Sequence, residues 1–360
     1  MKKRILCRAA AYLFLLLSLS LVSCGKEEVR YNYDLTEYVV LGDYMGVRAS
    51  FEPADEVSEE EIDEALLQLR LEDGDFTAAE KAVEKHDRVT LDFTLSLDGA
   101  VLENYSHTDF EVIVGLETNN EVTRAVEGAV LGLAAGQTGE TDYTYPLSAA
   151  SGELSGKIVR LTAKVKKVEV FSEAPLTDSD VNGLTGGAYK TVEALRVSLE
   201  EDLLSFKREN RRAAVWNAYL ETVVVKQYPE KELQEYLEQY RNYCKDMAKA
   251  AGVDFSVFLS EYMQMTETEF EQDALVEARR LVKNDMVMVQ LSRLMGTTLS
   301  EEEYQVGLER YFAGQSSEFT SAEEFEAYYG KEYIKENLIW DKAVETMAEN
   351  ALRIEETNEG

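Results

Sequence analysis

Apolar and polar residues follow two different rhythms along this chain. From Val89 to Leu95 (VTLDFTL) every second residue is apolar, the period of a half-buried strand. Phe110–Val114 and Thr138–Tyr145 read the same way, and Lys157–Val170 predicts a longer alternating strand. Asp98-Gly99 predicts a tight hairpin turn after the first of them. Val122, Val126 and Val130 recur at helical spacing, which predicts one short helix over 121–130. Elsewhere the period is helical. Ser58 with Glu61 forms a capping box ahead of Ile62, Ala65, Leu66 and Leu69, so 58–72 is an amphipathic helix stopped by Gly74. Beyond Leu176 almost everything is helical. One helix runs from Thr191 to about Val225, and Pro229 opens another over 229–250. Thr266/Glu269, Ser300/Glu303 and Ser321/Glu324 are three more capping boxes, with turns at Gly252, Gly296, Gly314 and Gly330. Residues 39–57 read as extended, and 25–38 as a short polar tether. The fold class is α+β: a small antiparallel sheet domain followed by an extended all-helical domain.

Composition narrows the function. The 360 residues are 45% hydrophobic and 29% charged, a globular balance. The 69 Asp and Glu against 37 Lys and Arg leave a net charge of -32. So acidic a chain is not built for nucleic acid, whose phosphates demand a basic surface. Two His and three Cys leave little room for a His- or Cys-built metal site. No calcium-loop pattern occurs, and no cofactor is expected. Cys244 sits on an apolar helix stripe and reads as core.

The start of the chain reads as a targeting signal. Lys2, Lys3 and Arg4 precede an apolar run from Ala9 to Val22, too short for a comfortable membrane span. The run ends in Leu21-Val22-Ser23-Cys24-Gly25, which resembles the bacterial lipobox. That resemblance implies cleavage before Cys24 and a lipid on its thiol. The expected location is the extracytoplasmic face of the cell membrane.

Several stretches together resemble trigger factor, the bacterial chaperone with an FKBP-type prolyl isomerase domain. Leu41-Gly-Asp-Tyr-Met-Gly-Val47 resembles the family's entry into its arm. Asp87-Arg-Val-Thr-Leu-Asp-Phe93 with Leu97-Asp-Gly99 resembles the opening hairpin of the isomerase domain. Gly132-Leu133 with Gly136-Gln137, and Leu154-Ser-Gly-Lys157, resemble its later turns. Tyr189-Lys-Thr-Val-Glu-Ala-Leu195, Tyr329-Gly330 and Glu349-Asn350-Ala351 resemble the ends of its helical domain. The likeness covers about residues 39–352. It implies five segments: a lipoprotein signal at 1–24, the tether at 25–38, an arm segment at 39–85, an FKBP-like domain at 86–172 and a helical chaperone domain at 173–360. The family's ribosome-binding domain has no counterpart among these segments, so no ribosome contact is expected. The implied partners are unfolded or secreted client polypeptides and the membrane.

Prolyl isomerisation needs neither nucleophile nor metal, only an apolar groove and a few donors. The resemblance places that groove residue by residue. Phe93 falls at the first aromatic, Leu102-Glu103 at a Phe-Asp pair, and Phe110 at a second groove Phe. Val122 and Thr123 fall at a pair whose backbone N–H holds substrate. Val126 falls at the floor, Ala149 at a hydroxyl-bearing Tyr, and Leu161 at the last Phe. The floor aromatic and the Tyr are therefore gone, and Arg124-Ala125 replaces a Pro-Gly. Phe93 and Phe110 serve equally well as sheet core. The leading expectation is a membrane-anchored isomerase and chaperone. A non-enzymatic holdase with a degenerate FKBP-like domain is the alternative, and a solute-binding lipoprotein a third. The helical region, rich in Tyr, Phe and Met (Tyr236, Tyr243, Met247, Phe258, Tyr262 and Met286 among them), offers a surface for apolar clients.

Overall fold

The structure, a computed structural model, describes residues 31–354 apart from 117–118, 146–153, 155, 173, 251, 264 and 316–318. In chain order the elements are β1 (Val39–Val40), β2 (Arg48–Ala49), α1 (Glu59–Asp73), β3 (Phe76–Ala78), β4 (Arg88–Leu97), β5 (Ala100–Val101), β6 (His107–Ile113), α2 (Glu121–Val130), β7 (Thr138–Thr144) and β8 (Ile158–Phe171). Then follow α3 (Asp178–Leu184), α4 (Val192–Thr222), β9 (Val224–Val225), α5 (Glu230–Ala250), α6 (Glu267–Met295), α7 (Glu301–Gly314), α8 (Ala322–Tyr329), α9 (Lys331–Glu349) and β10 (Leu352–Arg353). The class is α+β. Among the described residues no helix is long and apolar enough to cross a membrane.

Two compact units divide the chain. One comprises Val57–Glu201 with Ser256–Met265; the other takes the described residues of 31–56, Asp202–Phe255 and 266–354. In the first unit β4 is the spine of an antiparallel sheet, with β8 on one side and both β5 and β6 on the other. The far edge of β8 pairs with β7 and β3. The alternation read from the sequence is the burial pattern: Val89, Leu91, Phe93 and Leu95 of β4 point inward with Val159, Leu161, Ala163 and Val165 of β8. Asp98 and Gly99 turn the β4–β5 hairpin with φ of 51° and 82°, the primed geometry that fits strand twist.

Helix α2 covers this inner face through Val126, Ala129 and Val130. It lies close to the sheet because position 139 of β7 is glycine. A Cβ there would stand 1.9 Å from the Ala129 carbonyl oxygen. Gly139→Ala is expected to push α2 outward and cost about 1–3 kcal/mol, the usual range for overpacking. Urea unfolding of this variant against wild type measures the loss.

Two expectations need correction here. The sheet begins earlier than 86: β3, inside the expected arm segment, pairs Phe76 with Phe171, their ring centroids 5.6 Å apart. Three residues are too few for alternation to show. Nor is 25–38 a tether along its whole length, because 31–38 is packed within the second unit. Tyr31 and Leu35 are buried, the Tyr31 hydroxyl donates to Asp285, and Arg293 donates to the Tyr31 carbonyl. Aromatic side chains interleaved with polar ones supply the apolar surface that a polarity reading overlooks.

In the second unit β1 pairs antiparallel with β9 and β2 parallel with β10. Helices α5 and α6 are held by a buried carboxylate, Asp285, which accepts from the Tyr236 hydroxyl at 3.0 Å. The Thr266/Glu269 and Ser300/Glu303 boxes form reciprocally. Ser321 caps α8, but the Glu324 carboxylate turns to Thr320 instead, accepting from its N–H and hydroxyl. An unforeseen box, Thr177/Asp180, opens α3.

Candidate functional site

A regular strand sends residues three apart to opposite faces. His107 and Phe110 nonetheless share one. On β4, Phe93 and Leu91 are two apart; their partners on β6 are His107 and Phe110, three apart. One extra residue is accommodated as a bulge. Asp109 takes φ of 52°, a left-handed conformation that Asp tolerates better than most residues. The bulge brings His107 and Phe110 to the side of Phe93, where the rings form a cluster. Phe93 and Phe110 meet edge to face at 5.2 Å, and His107 lies 5.2 Å from Phe93 and 6.0 Å from Phe110.

The bulge is held from the opposite face. Asp92, between Leu91 and Phe93, accepts from the Asp109 N–H at 2.8 Å. Lys166 donates to both Asp92 and Asp109 at 2.7 Å. Lys166 sits in a second bulge, since Thr90 pairs with Lys167 while Leu91 pairs with Val165. The ammonium of Lys166 and the Asp109 N–H hold the Asp92 carboxyl below its usual range, and the two carboxylates raise the lysine. Asp92→Ala is expected to release the bulge and separate the His107 and Phe110 rings. Loss of the ring-to-ring nuclear Overhauser contacts would register this. Global stability should change little, because these ion pairs are solvent-accessible.

The other wall is α2. Asn120 caps it, its side-chain oxygen accepting from the Thr123 N–H at 2.9 Å and from the Thr123 hydroxyl at 3.0 Å. Val122 and Val126 then face the aromatic cluster. The result is a pocket of about 130 Å³ lined by Phe93, His107, Phe110, Asn120, Val122, Thr123 and Val126. Drug-sized ligand sites run about 300–1,000 Å³, so this space suits one small ring or side chain. Behind α2, Asn119 donates to the Ile113 carbonyl and to Glu127, tying the loop after β6 to the helix; burial raises the Glu127 carboxyl.

The structure therefore gathers five of the sequence-derived positions in one groove: Phe93, Phe110, Val122, Thr123 and Val126. It places three others elsewhere. Leu161 is fully buried in the core, paired with Leu95 and Thr141. Leu102 packs against the core edge and donates its N–H to Leu95. Glu103 is exposed in a single 3₁₀ turn over Glu103–Tyr105. Ala149 and Cys24 lie outside the described residues. Thr123 differs from its expected role, since its N–H is engaged by the helix cap. Val122, in the same first turn, has an N–H with no partner inside the helix. His107 and Asn120 are lining residues that the sequence did not single out. Asn120 could have been found as an Asn immediately before a helical run.

Among the apolar residues of the helical region, Tyr236, Phe258 and Met286 are buried. Tyr243 and Met247, four apart on α5, are about half exposed, as is Tyr262. Some of the set is core, then, and some is surface.

Fold and groove define the class: an α+β protein that joins a small, bulged and grooved antiparallel sheet to long helices. Within that class the chain is similar to trigger factors along most of its length. It is 27% identical over 326 residues to the trigger factor of Caldicellulosiruptor bescii, covering 89% of this chain and 72% of that protein. It is 26% identical over 328 residues to that of Pelotomaculum thermopropionicum, covering 89% and 73%. With a Streptococcus pneumoniae trigger factor the figure is 22% over 317 residues, 87% and 72% of the two chains. No family model matches. A solved structure described as a trigger factor chaperone with promiscuous substrate recognition aligns at TM-score 0.39 and 16% identity, over 86% of this chain and 72% of that one.

Proposed function

We propose that this protein is a trigger-factor-like folding factor: a peptidyl-prolyl cis–trans isomerase and chaperone, carried by a lipid on Cys24 at the outer face of the cell membrane. The observation that carries the reading is the aromatic groove, in a chain homologous to trigger factors over 326 residues. Rotation about an X-Pro amide meets a barrier of about 18–20 kcal/mol because resonance holds the bond planar. A groove of Phe93, Phe110, Val122 and Val126 takes the proline ring out of water. The twisted amide, having lost its resonance, is less polar and gains from that environment. Exposed Tyr243 and Met247 add apolar surface suited to varied unfolded segments.

The lipid anchor rests on the basic start, the apolar run and Leu21-Val22-Ser23-Cys24. Secreted polypeptides are the clients this location implies. No ribosome contact forms part of the proposal, and a net charge of -32 favours protein clients over a phosphate-rich surface. Cys24→Ala should move the protein from the membrane fraction to the soluble one; retention in the membrane would remove the anchor from the proposal.

Two observations favour a second reading, a holdase without catalysis. The floor residue is Val126 rather than a large aromatic, and the Thr123 N–H is tied to Asn120. Both readings require the purified protein to slow aggregation of a chemically unfolded client at stoichiometric amounts. Failure to do so would sink both.

A further inference from the structure

The groove has one aromatic wall residue that also carries polar N–H and N groups. We infer that His107 supplies the groove's hydrogen bond to a carbonyl oxygen of a bound X-Pro segment. The inference rests on the peptide-binding reading of the groove. It assigns the donor role to a residue that neither the alternating pattern nor the resemblance pointed to.

Three features place His107 there. Its backbone is fixed by pairing with Phe93, and the neighbouring bulge, clamped by Asp92 and Lys166, turns its side chain to the groove side. Its ring is braced against Phe93 and Phe110, so its plane is held by two partners. It remains exposed, and among the described residues its nitrogens make no hydrogen bond, so core packing does not account for it. Two other side-chain polar groups of the lining are already engaged with each other. The Asn120 side-chain oxygen is used by the cap, and the Thr123 hydroxyl donates to that same oxygen. An imidazole N–H beside an apolar pocket suits a substrate whose ring is apolar and whose flanking carbonyls are strong acceptors. A proline and its preceding peptide unit have that combination. The carbonyl next to the proline ring, once the ring enters the pocket, needs a partner to replace water.

The test measures affinity for a short X-Pro peptide by titration with wild-type protein, His107→Phe and His107→Gln, each first shown to be folded by circular dichroism. Phe keeps the aromatic wall and loses the donor, while Gln restores a donor. His107→Phe is expected to weaken binding about two- to tenfold, the worth of one net hydrogen bond. His107→Gln should recover most of that loss, and the peptide should shift the His107 ring-carbon resonances of the wild type. Equal affinity for wild type and His107→Phe, or His107→Gln no better than Phe, overturns the assignment. Wild type that binds the peptide without speeding its isomerisation defeats the isomerase reading, while the three affinities still decide the role of His107. Wild type that does not bind the peptide defeats both.

Discussion

Replacing Phe93 and Phe110 together by Ala is expected to abolish groove binding of an X-Pro peptide and any isomerisation that depends on it. The two rings meet edge to face at 5.2 Å and form one wall of the pocket. Without them the pocket opens to water, and the desolvation that favours the twisted amide is gone. The structural cost must be separated from this. Phe93 is 4% exposed and belongs to the sheet core, so its truncation alone should cost about 3–5 kcal/mol of stability. Phe110 is only half-buried. Phe110→Ala alone should therefore leave the fold largely intact and still lower the isomerisation rate clearly. Denaturant titration alongside the rate assay distinguishes the two effects. A Phe110→Ala protein that is stable and fully active would show that the wall is not used.

The second large effect belongs to the helical unit and has nothing to do with the groove. Asp341 of α9 is 6% exposed. It accepts from Arg212 of α4 at 2.8 Å, from Arg310 of α7 at 2.7 Å and from the Tyr311 hydroxyl at 2.8 Å. Burial, with the Asp341 charge beside it, pushes the Tyr311 hydroxyl well above the ordinary phenol range. Asp341→Ala would leave the enclosed Arg212 guanidinium short of its best partner. Removing one member of a buried charge pair costs about 3–5 kcal/mol, a large share of a domain's stability. The expected result is an earlier urea transition for this unit with groove binding of the peptide unchanged. A shift under about 1 kcal/mol would mean that solvent replaces the carboxylate without cost.

The regular elements were legible because each carries a local signal. Alternation through Val89–Leu95 marked β4, and the Val122, Val126, Val130 spacing matched the bounds of α2. Ser58 and Thr266 announced their helices through side-chain capping that forms as read. The features that shape the groove were not legible in the same way, because they depend on pairing between strands. The β6 bulge shows only as a register mismatch with β4, and nothing in Ser-His-Thr-Asp-Phe indicates it. The β8 bulge did leave a trace: the inward positions run 159, 161, 163, 165 and then 168, and two successive lysines, Lys166 and Lys167, interrupt the alternation. Reading that stretch as one regular strand missed it. His107 went unnoticed for the same reason, since in a regular strand it would face away from Phe110. Leu161 shows the opposite error. A position matched by resemblance lies in the core beside Leu95, where an inward β8 residue belongs.

The most direct test is cis–trans exchange of an X-Pro peptide, followed by magnetisation-transfer NMR with the purified protein present in catalytic amount. Uncatalysed exchange takes tens to hundreds of seconds at 25 °C. Exchange that accelerates in proportion to protein concentration, and returns to the uncatalysed rate with the Phe93→Ala, Phe110→Ala protein, is the expected result. Exchange that stays at the uncatalysed rate at every protein concentration would contradict an isomerase and leave a peptide-holding chaperone in its place.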